Sequence, residues 1–519
     1  MELRTRRQAL AWLALLPPLL VALLVWLLAS DVPYWDDWGL VPLLAKAKAG
    51  SAGFADYFEI FDVHRYLLPK FILTQVALAT EWNVRVQLLL NVAVVCGTLG
   101  AIALIASRPG GAGAGAGAMI GSGLAVFSLA QYDNWLWSIQ VAYFLSIALA
   151  VWAVAVLSRP RWAWPARFGV AALLCVLATF SVGFGIVSWV ALAPLVWMEA
   201  PRRRPALGAW LALALACVFL YTVGADFPDA PSGGALRLRA MALFFVAVAG
   251  TPWTSVAAPA FALGAVSLTL FVALAIRALR SDARRSMPWF SLGLIALGFA
   301  GLTAIVRSPL GWSIAESPRY ATPMLLLTVA TLHLASHSPP ERRRVSMTAL
   351  LVGVLVFANL SFLPIFWTTA ASRHVNRVCT DLVFVLGAAR VDCIPSGGPH
   401  SDLLQRLEMA RAEGLRPFAD SGWFSTVDVP ARDLSVIAAG RAMTIRGKSA
   451  RSLLPAPVIV TRGAEREPIA LAWAAASGYW SVRIGSDRLE TPPPLLELWT
   501  IPRHQKRFVR IGRWTPDDP

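Results

Sequence analysis

Charge is scarce in this chain: only 15% of its 519 residues are charged. Acids are the scarcer sign, with 30 Asp and Glu against 46 Lys and Arg and a net charge of +16. Other absences narrow the function. No Gly-x-x-x-x-Gly-Lys-Ser/Thr loop is present, and Ser181-Val-Gly-Phe-Gly185 is only a short turn, so no motif argues for ATP chemistry. There is no zinc pattern, no Gly-x-Ser-x-Gly elbow and no basic, aromatic platform for single strands. The basic residues sit in short clusters between apolar segments, which argues against nucleic acid as a partner. What fills the chain instead is apolar: 57% hydrophobic residues and 22 Trp, with a mean hydropathy of +0.61. A bilayer is the natural solvent for that mix.

Windows of about 20 apolar residues recur, each long enough to cross a hydrocarbon core of about 30 Å. The first follows Met1-Glu-Leu-Arg-Thr-Arg-Arg7 and lacks a clean small-x-small cleavage site before Asp31, so it reads as an uncleaved helix. The expected spans are 9–29, 86–107, 114–131, 139–157, 166–180, 184–198, 206–224, 256–279, 288–306, 319–337 and 346–367. With the N-terminus cytoplasmic, the inside segments hold Arg4, Arg6 and Arg7; Arg108; Arg159, Arg161 and Arg167; Arg202 to Arg204; Arg277, Arg280, Arg284 and Arg285; and Arg342 to Arg344. That is the positive-inside pattern. Residues 66–80 are apolar but short, and 238–250 are expected to be interfacial or re-entrant, since the charge alternation needs an odd number of crossings between 225 and 280. The Gly/Ala run at 110–118 reads as an inner loop entering a closely packed helix.

After residue 367 hydropathy falls and turn signals appear, such as Pro-Ser-Gly-Gly-Pro at 395–399 and Pro-Pro-Pro at 492–494. Ala-Pro-Val-Ile-Val-Thr at 456–461 and Gly-Tyr-Trp-Ser-Val-Arg-Ile at 478–484 alternate like strands. The expected architecture is an α-helical polytopic membrane domain over 1–369, with about eleven spans and a long first outer loop at 30–85, then a soluble α+β or mostly β domain at 370–519 placed outside. Cys96, Cys175 and Cys217 fall within spans, whereas Cys379 and Cys393 fall in the outer domain. A disulfide between the last two suits an oxidising compartment, and two unpaired thiols is the alternative.

Four polar constellations mark the outer side. Asp31-Val-Pro-Tyr-Trp-Asp36-Asp37-Trp38 follows the first helix. A carboxylate there suits deprotonation of an acceptor hydroxyl or a divalent cation against a phosphate leaving group; belt aromatics at a solvated loop start is the plainer account. His64-Arg65 pairs a proton relay or phosphate ligand with a bidentate phosphate donor, or is a surface pair opening an interfacial helix. Gln131-Tyr132-Asp133-Asn134-Trp135-Leu-Trp137-Ser-Ile-Gln140 suits sugar recognition, with amides and acids on hydroxyl edges and aromatic faces on the ring; belting with a cap at Asn134 is the alternative. Glu316-Ser317-Pro318-Arg319-Tyr320 places a cation at a helix start, for a lipid-linked phosphate or for headgroup snorkelling.

Paired acids after helix one, an acid in the second outer loop, many helices and a C-terminal outer domain together resemble the GT-C glycosyltransferases, the superfamily of protein mannosyltransferases and lipid A aminoarabinose transferases. Pro33 to Trp38, His64-Arg65, Gln131 to Trp137 with Gln140, and Ser317 to Tyr320 look like signatures of uncharacterised bacterial membrane proteins related to it. The likeness covers roughly residues 1–370. It implies transfer of a sugar, usually with inversion, from a polyprenyl-phosphate donor to a glycan, lipid or protein acceptor at the outer face of the cytoplasmic membrane. By the resemblance Asp36 or Asp37 is the base or acceptor-orienting group. His64, Arg65, Arg319 and Tyr320 lie on the donor-phosphate side. Asn134, Trp135, Trp137, Gln140 and Glu316 lie on the sugar or acceptor side with Asp133, which matches an acid that in some relatives helps bind a metal, Mg or Mn, or the donor phosphate. The two first-loop acids are adjacent and not separated by one residue as in some members, which leaves the base and the metal open. A transporter or flippase for lipid-linked glycans, or an accessory subunit of an envelope assembly, are the competing classes; the first should hide charge at mid-bilayer and break helices in repeated halves.

Overall fold

The computed structural model describes residues 13–61, 63–108, 116–225, 234–336, 341–386, 403–415, 424–428, 432–439, 442–448, 456–462, 467–474, 479–484, 495–500 and 508–514. The N-terminal arginines, most of the Gly/Ala run, Cys393 and the proline-rich turns at 395–399 and 492–494 lie outside them.

The helices are α1 Leu16–Leu28, α2 Val41–Lys48, α3 Phe54–Phe58, α4 Leu67–Ala79, α5 Val84–Ala106, α6 Ala116–Val126, α7 Val141–Leu157, α8 Trp164–Thr179, α9 Val187–Glu199, α10 Arg203–Thr222, α11 Gly234–Gly250, α12 Ala257–Arg307, α13 Ala321–Ser336, α14 Glu341–Leu386 and α15 Leu403–Ala412. Among the described residues, five stretches are long and apolar enough to cross a membrane: 84–106, 138–157, 203–222, 257–310 and 345–377. Helix α12 holds two expected spans in one run of 51 residues, because its backbone leaves helical geometry only at Asp282 (φ −155°, ψ 88°). The Asp282 carboxylate accepts the Arg285 N–H at 3.1 Å and so caps the second half.

The 238–250 stretch lies within α11, whose 17 residues span about 25 Å, short of a full hydrocarbon core. It packs tightly on α12: a Cβ at Gly250 would sit 1.8 Å from the Ala260 carbonyl oxygen, and one at Gly264 1.9 Å from that of Val246. Only glycine permits that approach.

The chain forms two compact units. One comprises Met1–Leu27, Ala52–Gln75 and Val86–Trp367; the other comprises Leu28–Ser51, Val76–Arg85 and Thr368–Pro519. The second unit therefore owns both ends of loop 30–85. Helix α14 continues to Leu386 past the expected span end at 367. Hydropathy misses this continuation because Arg373, His374, Asn376 and Arg377 are polar, yet all four are buried.

The described residues of the second unit also carry eight strands: β1 Phe424–Asp428, β2 Arg432–Ala439, β3 Ala442–Lys448, β4 Ala456–Arg462, β5 Glu467–Ala474, β6 Tyr479–Ile484, β7 Leu496–Thr500 and β8 Phe508–Trp514. They form a five-stranded sheet ordered β1-β8-β7-β4-β5 and a three-stranded sheet ordered β2-β3-β6. Only the β1/β8 pair is parallel. Trp480, Val482 and Ile484 point into a core with Ile445, Val460 and Leu498, while Tyr479 is exposed, which is the period-two pattern of a half-buried strand.

Candidate functional site

In the first unit, the short segment 63–66 is fastened by Arg65. Its Nε donates to the Tyr221 carbonyl at 2.8 Å, one terminal nitrogen donates to the Phe58 carbonyl at 2.7 Å and the other to the Val223 carbonyl. Tyr221 and Val223 close the C-terminal end of α10, where helix carbonyls lack intrahelical donors and the dipole is negative, so a buried guanidinium fits there. It also lies over the Phe58 ring, 4.3 Å from its centre. All three guanidinium nitrogens are thus bound to carbonyls. The sequence offered Arg65 as a phosphate ligand, and its place is instead that of a strap.

The neighbouring His64 is pinned by that strap and faces cations. Burial, then the charges of Arg307 and Arg319, push its imidazole down to about 4. Arg307 closes α12, and Arg319 donates from Nε to the Ser317 hydroxyl at 3.0 Å. Arg307 and Arg319 thus both act electrostatically on His64, and cations of that kind suit an anion. Lys70 sits one turn into α4 and donates to the carbonyls of Asp56 and Glu59 at 2.7 and 3.0 Å. Burial outweighs the attraction of Glu59 and Asp56 and lowers its ammonium to about 8.

The second loop is pinned to the loop that carries Arg319. Asn134 Nδ2 donates to the Thr322 hydroxyl at 2.7 Å and to the Pro318 carbonyl at 3.4 Å. Tyr132 is held protonated, pushed up to about 12 by burial and then by the charges of Asp133 and Glu316. Trp135 is fully buried, its indole N–H given to the Ser128 carbonyl. Its ring stacks between Phe127 (centres 5.9 Å apart) and Phe144 (4.8 Å). Fully buried and stacked on these two rings, Trp135 packs the core in this structure. Tyr320 is buried against Phe244 and Phe299 and is likewise a packing residue. Trp137 and Gln140 are buried too; the Gln140 Oε1 and the Asn134 Oδ1 have no hydrogen-bond partner among the described residues.

Asp133 and Glu316 share only their charge effect on Tyr132. Among the described residues no three His, Cys, Asp or Glu side chains gather. Two carboxylates match Mg²⁺ where substrate phosphate and water complete an octahedron, and they are too few for an all-protein cage.

In the second unit, the acid pair divides in role. Asp37 is fully buried and its Oδ2 accepts the Tyr34 N–H at 3.0 Å, while its own N–H returns to the Tyr34 carbonyl at 3.0 Å, a reciprocal cap on the 3₁₀ turn Trp35–Leu40. Asp36 is partly exposed. Before it Trp35 is held at φ 48°, in the left-handed region that a bulky side chain avoids. Glu81 and Trp82, at φ 53° and 55°, repeat that strain at the other end of the loop. Such outliers concentrate where function constrains the backbone. Asp31 is buried and accepts the Val84 N–H at 2.8 Å, which fixes the start of α5. The guanidinium of Arg373 covers the Tyr34 ring.

No protein-family model matches the chain, and no curated protein matches it. Among solved structures it is similar to the crystal structure of ArnT from Cupriavidus metallidurans bound to undecaprenyl phosphate, at 16% identity over 77% of this chain and 75% of that one, with a TM-score of 0.40. A likeness this loose decides nothing about chemistry, which rests on the side chains above.

Sequence reasoning missed Tyr221, Arg307 and the α14 group Arg373, His374, Asn376 and Arg377. Arg307 carried a signal, a cation ending an apolar span. Tyr221 had none beyond its place at the end of another. Cys379 is disulfide-bonded, while Cys96, Cys175 and Cys217 are free; Cys393, the expected partner, lies outside the described residues.

Proposed function

We propose that this chain is a membrane glycosyltransferase of the GT-C kind, taking a sugar from a polyprenyl-phosphate-linked donor and passing it to a glycan, lipid or protein acceptor at the outer face of the cytoplasmic membrane. The observation that carries the reading is that two cations, Arg307 and Arg319, both act on the buried ring of His64. A site of that composition in a chain with spans apolar enough for lipid suits a lipid phosphate better than a soluble metabolite. The disulfide at Cys379 supports an oxidising compartment for the second unit.

Asp36 is the base in this reading, because Asp37 is committed to its cap. The acceptor hydroxyl oxygen attacks the anomeric carbon and its proton passes to the Asp36 carboxylate. The bond between that carbon and the phosphate oxygen breaks on the opposite face, which inverts the centre. Polyprenyl phosphate leaves with the bonding electrons, which balances the new bond to the acceptor oxygen. If a divalent cation takes part, Asp133 and Glu316 are the residues to hold it, and it would supply charge to the leaving phosphate.

The test is transfer of labelled sugar from polyprenyl phosphate by purified Asp36→Asn, Asp37→Asn and Asp133→Asn proteins. Loss of turnover in Asp36→Asn is expected. Undiminished turnover in all three would sink the enzyme reading and return the transporter and accessory-subunit classes.

A further inference from the structure

Tyr221 ends α10 beside His64. A phenol has one proton to give and two lone pairs to offer. One lone pair is used by the Arg65 backbone N–H at 3.2 Å, and the remaining hydrogen-bond neighbour of the hydroxyl among the described residues is His64 Nδ1 at 3.3 Å. A protonated Nδ1 would make the hydroxyl accept twice and leave its own proton without an acceptor, an expensive arrangement for a largely enclosed group. The economical arrangement has the phenol donating to Nδ1. A neutral imidazole carries a single proton, which then sits on Nε2.

The surroundings enforce this pairing. The Arg65 guanidinium holds the Tyr221 carbonyl and so fixes the backbone beneath the phenol. Gly183 leaves the space: a Cβ there would sit 2.6 Å from the Tyr221 hydroxyl and 3.3 Å from His64 Nδ1. Arg307 and Arg319 oppose a second proton on the ring.

We propose that Tyr221 is a positioning residue that fixes His64 as its Nε2–H tautomer, so that the histidine presents a hydrogen-bond donor, and never a general base, to a phosphate oxygen of the donor lipid. The phosphate half rests on the function proposed above; the tautomer half does not. Its consequence is a division of labour: proton acceptance falls to a carboxylate, and the histidine contributes only a neutral donor to the phosphate.

Nitrogen-15 histidine labelling of the full chain in nanodiscs tests both halves, since the chain has only 6 His and His64→Gln assigns the signal. At neutral pH the wild type is expected to show an unprotonated Nδ1 and a protonated Nε2. A proton on Nδ1, or exchange-averaged nitrogens, overturns the proposal. Addition of a short-chain polyprenyl phosphate is expected to shift the Nε2–H signal; the right tautomer with no shift overturns the phosphate reading alone. Tyr221→Phe is expected to average the two nitrogens and to weaken polyprenyl phosphate binding about threefold to tenfold, the worth of one such hydrogen bond. Because the wild-type spectrum decides the tautomer by itself, the test stands even where Tyr221→Phe fails to fold.

Discussion

The guanidinium carbon of Arg373 lies 3.0 Å from the centre of the Tyr34 ring. Tyr34 is also the residue whose N–H Asp37 accepts, so the cation holds the turn that presents Asp36. A cation over an enclosed ring is worth about 2 kcal/mol. Arg373→Met and Tyr34→Leu should each lower the thermal midpoint in detergent, and the double variant should cost less than the sum of the two. Strictly additive shifts would show that the contact contributes nothing.

The acids of the pair should fail in different ways. Asp37→Ala removes the reciprocal cap and should cost about 1 kcal/mol of stability, whereas Asp37→Asn keeps an acceptor and most of that. Asp36→Asn should leave the thermal midpoint unchanged and abolish transfer. Measuring midpoint and turnover on the same preparations separates them; a destabilised Asp36→Asn or an inactive but stable Asp37→Asn would reverse the assignment.

His64 sets a pH expectation. Its folded value near 4 lies below the ordinary 6.5, so on acidification the unfolded chain takes up the proton first. Stability owed to the neutral ring is complete above about 6.5 and is lost as pH falls toward 4. Between pH 5 and 8 turnover should carry no inflection from this residue, and the pH profile of His64→Gln should keep the wild-type shape. A histidine titrating near 6.5 in the labelled spectrum would contradict the enclosure seen here.

Much of the fold was legible because hydropathy needs no partner: α5, α7 and α10 lie close to the expected 86–107, 139–157 and 206–224, and the inward Trp480, Val482 and Ile484 follow from alternation alone. The expected break between 279 and 288 is present as the kink at Asp282. What sequence could not supply was the use made of each polar group. Arg65 and Arg319 look alike in a motif, yet one is spent on helix-end carbonyls and the other bears on His64, and that difference comes from α10, more than 150 positions away from Arg65. The packing of Trp135 was hidden for the same reason, since Phe127 and Phe144 stack on it only once the loop is folded. The α14 group was hidden by its polarity, because a buried Arg373 or Arg377 reads as solvent in a hydropathy window.

Glu199 shows the same limit and yields the last expectation. It ends α9 and meets Arg108 at 2.6 Å and Arg167 at 3.3 Å, with side chains that are largely buried. Arg167 donates also to the Leu157 carbonyl at 2.8 Å, and Arg108 to that of Arg284 at 3.2 Å. One carboxylate therefore joins segments that sequence marked only as separate arginine clusters. Removing it strands two guanidinium groups in a place poor in water, and breaking such a pair costs about 3 kcal/mol or more. Glu199→Gln should lower the thermal midpoint markedly while leaving polyprenyl phosphate binding to the folded protein intact. Arg108→Gln should cost less, because Arg167 still pairs with the acid. Equal losses in the two variants would mean that the carboxylate is not the common anchor.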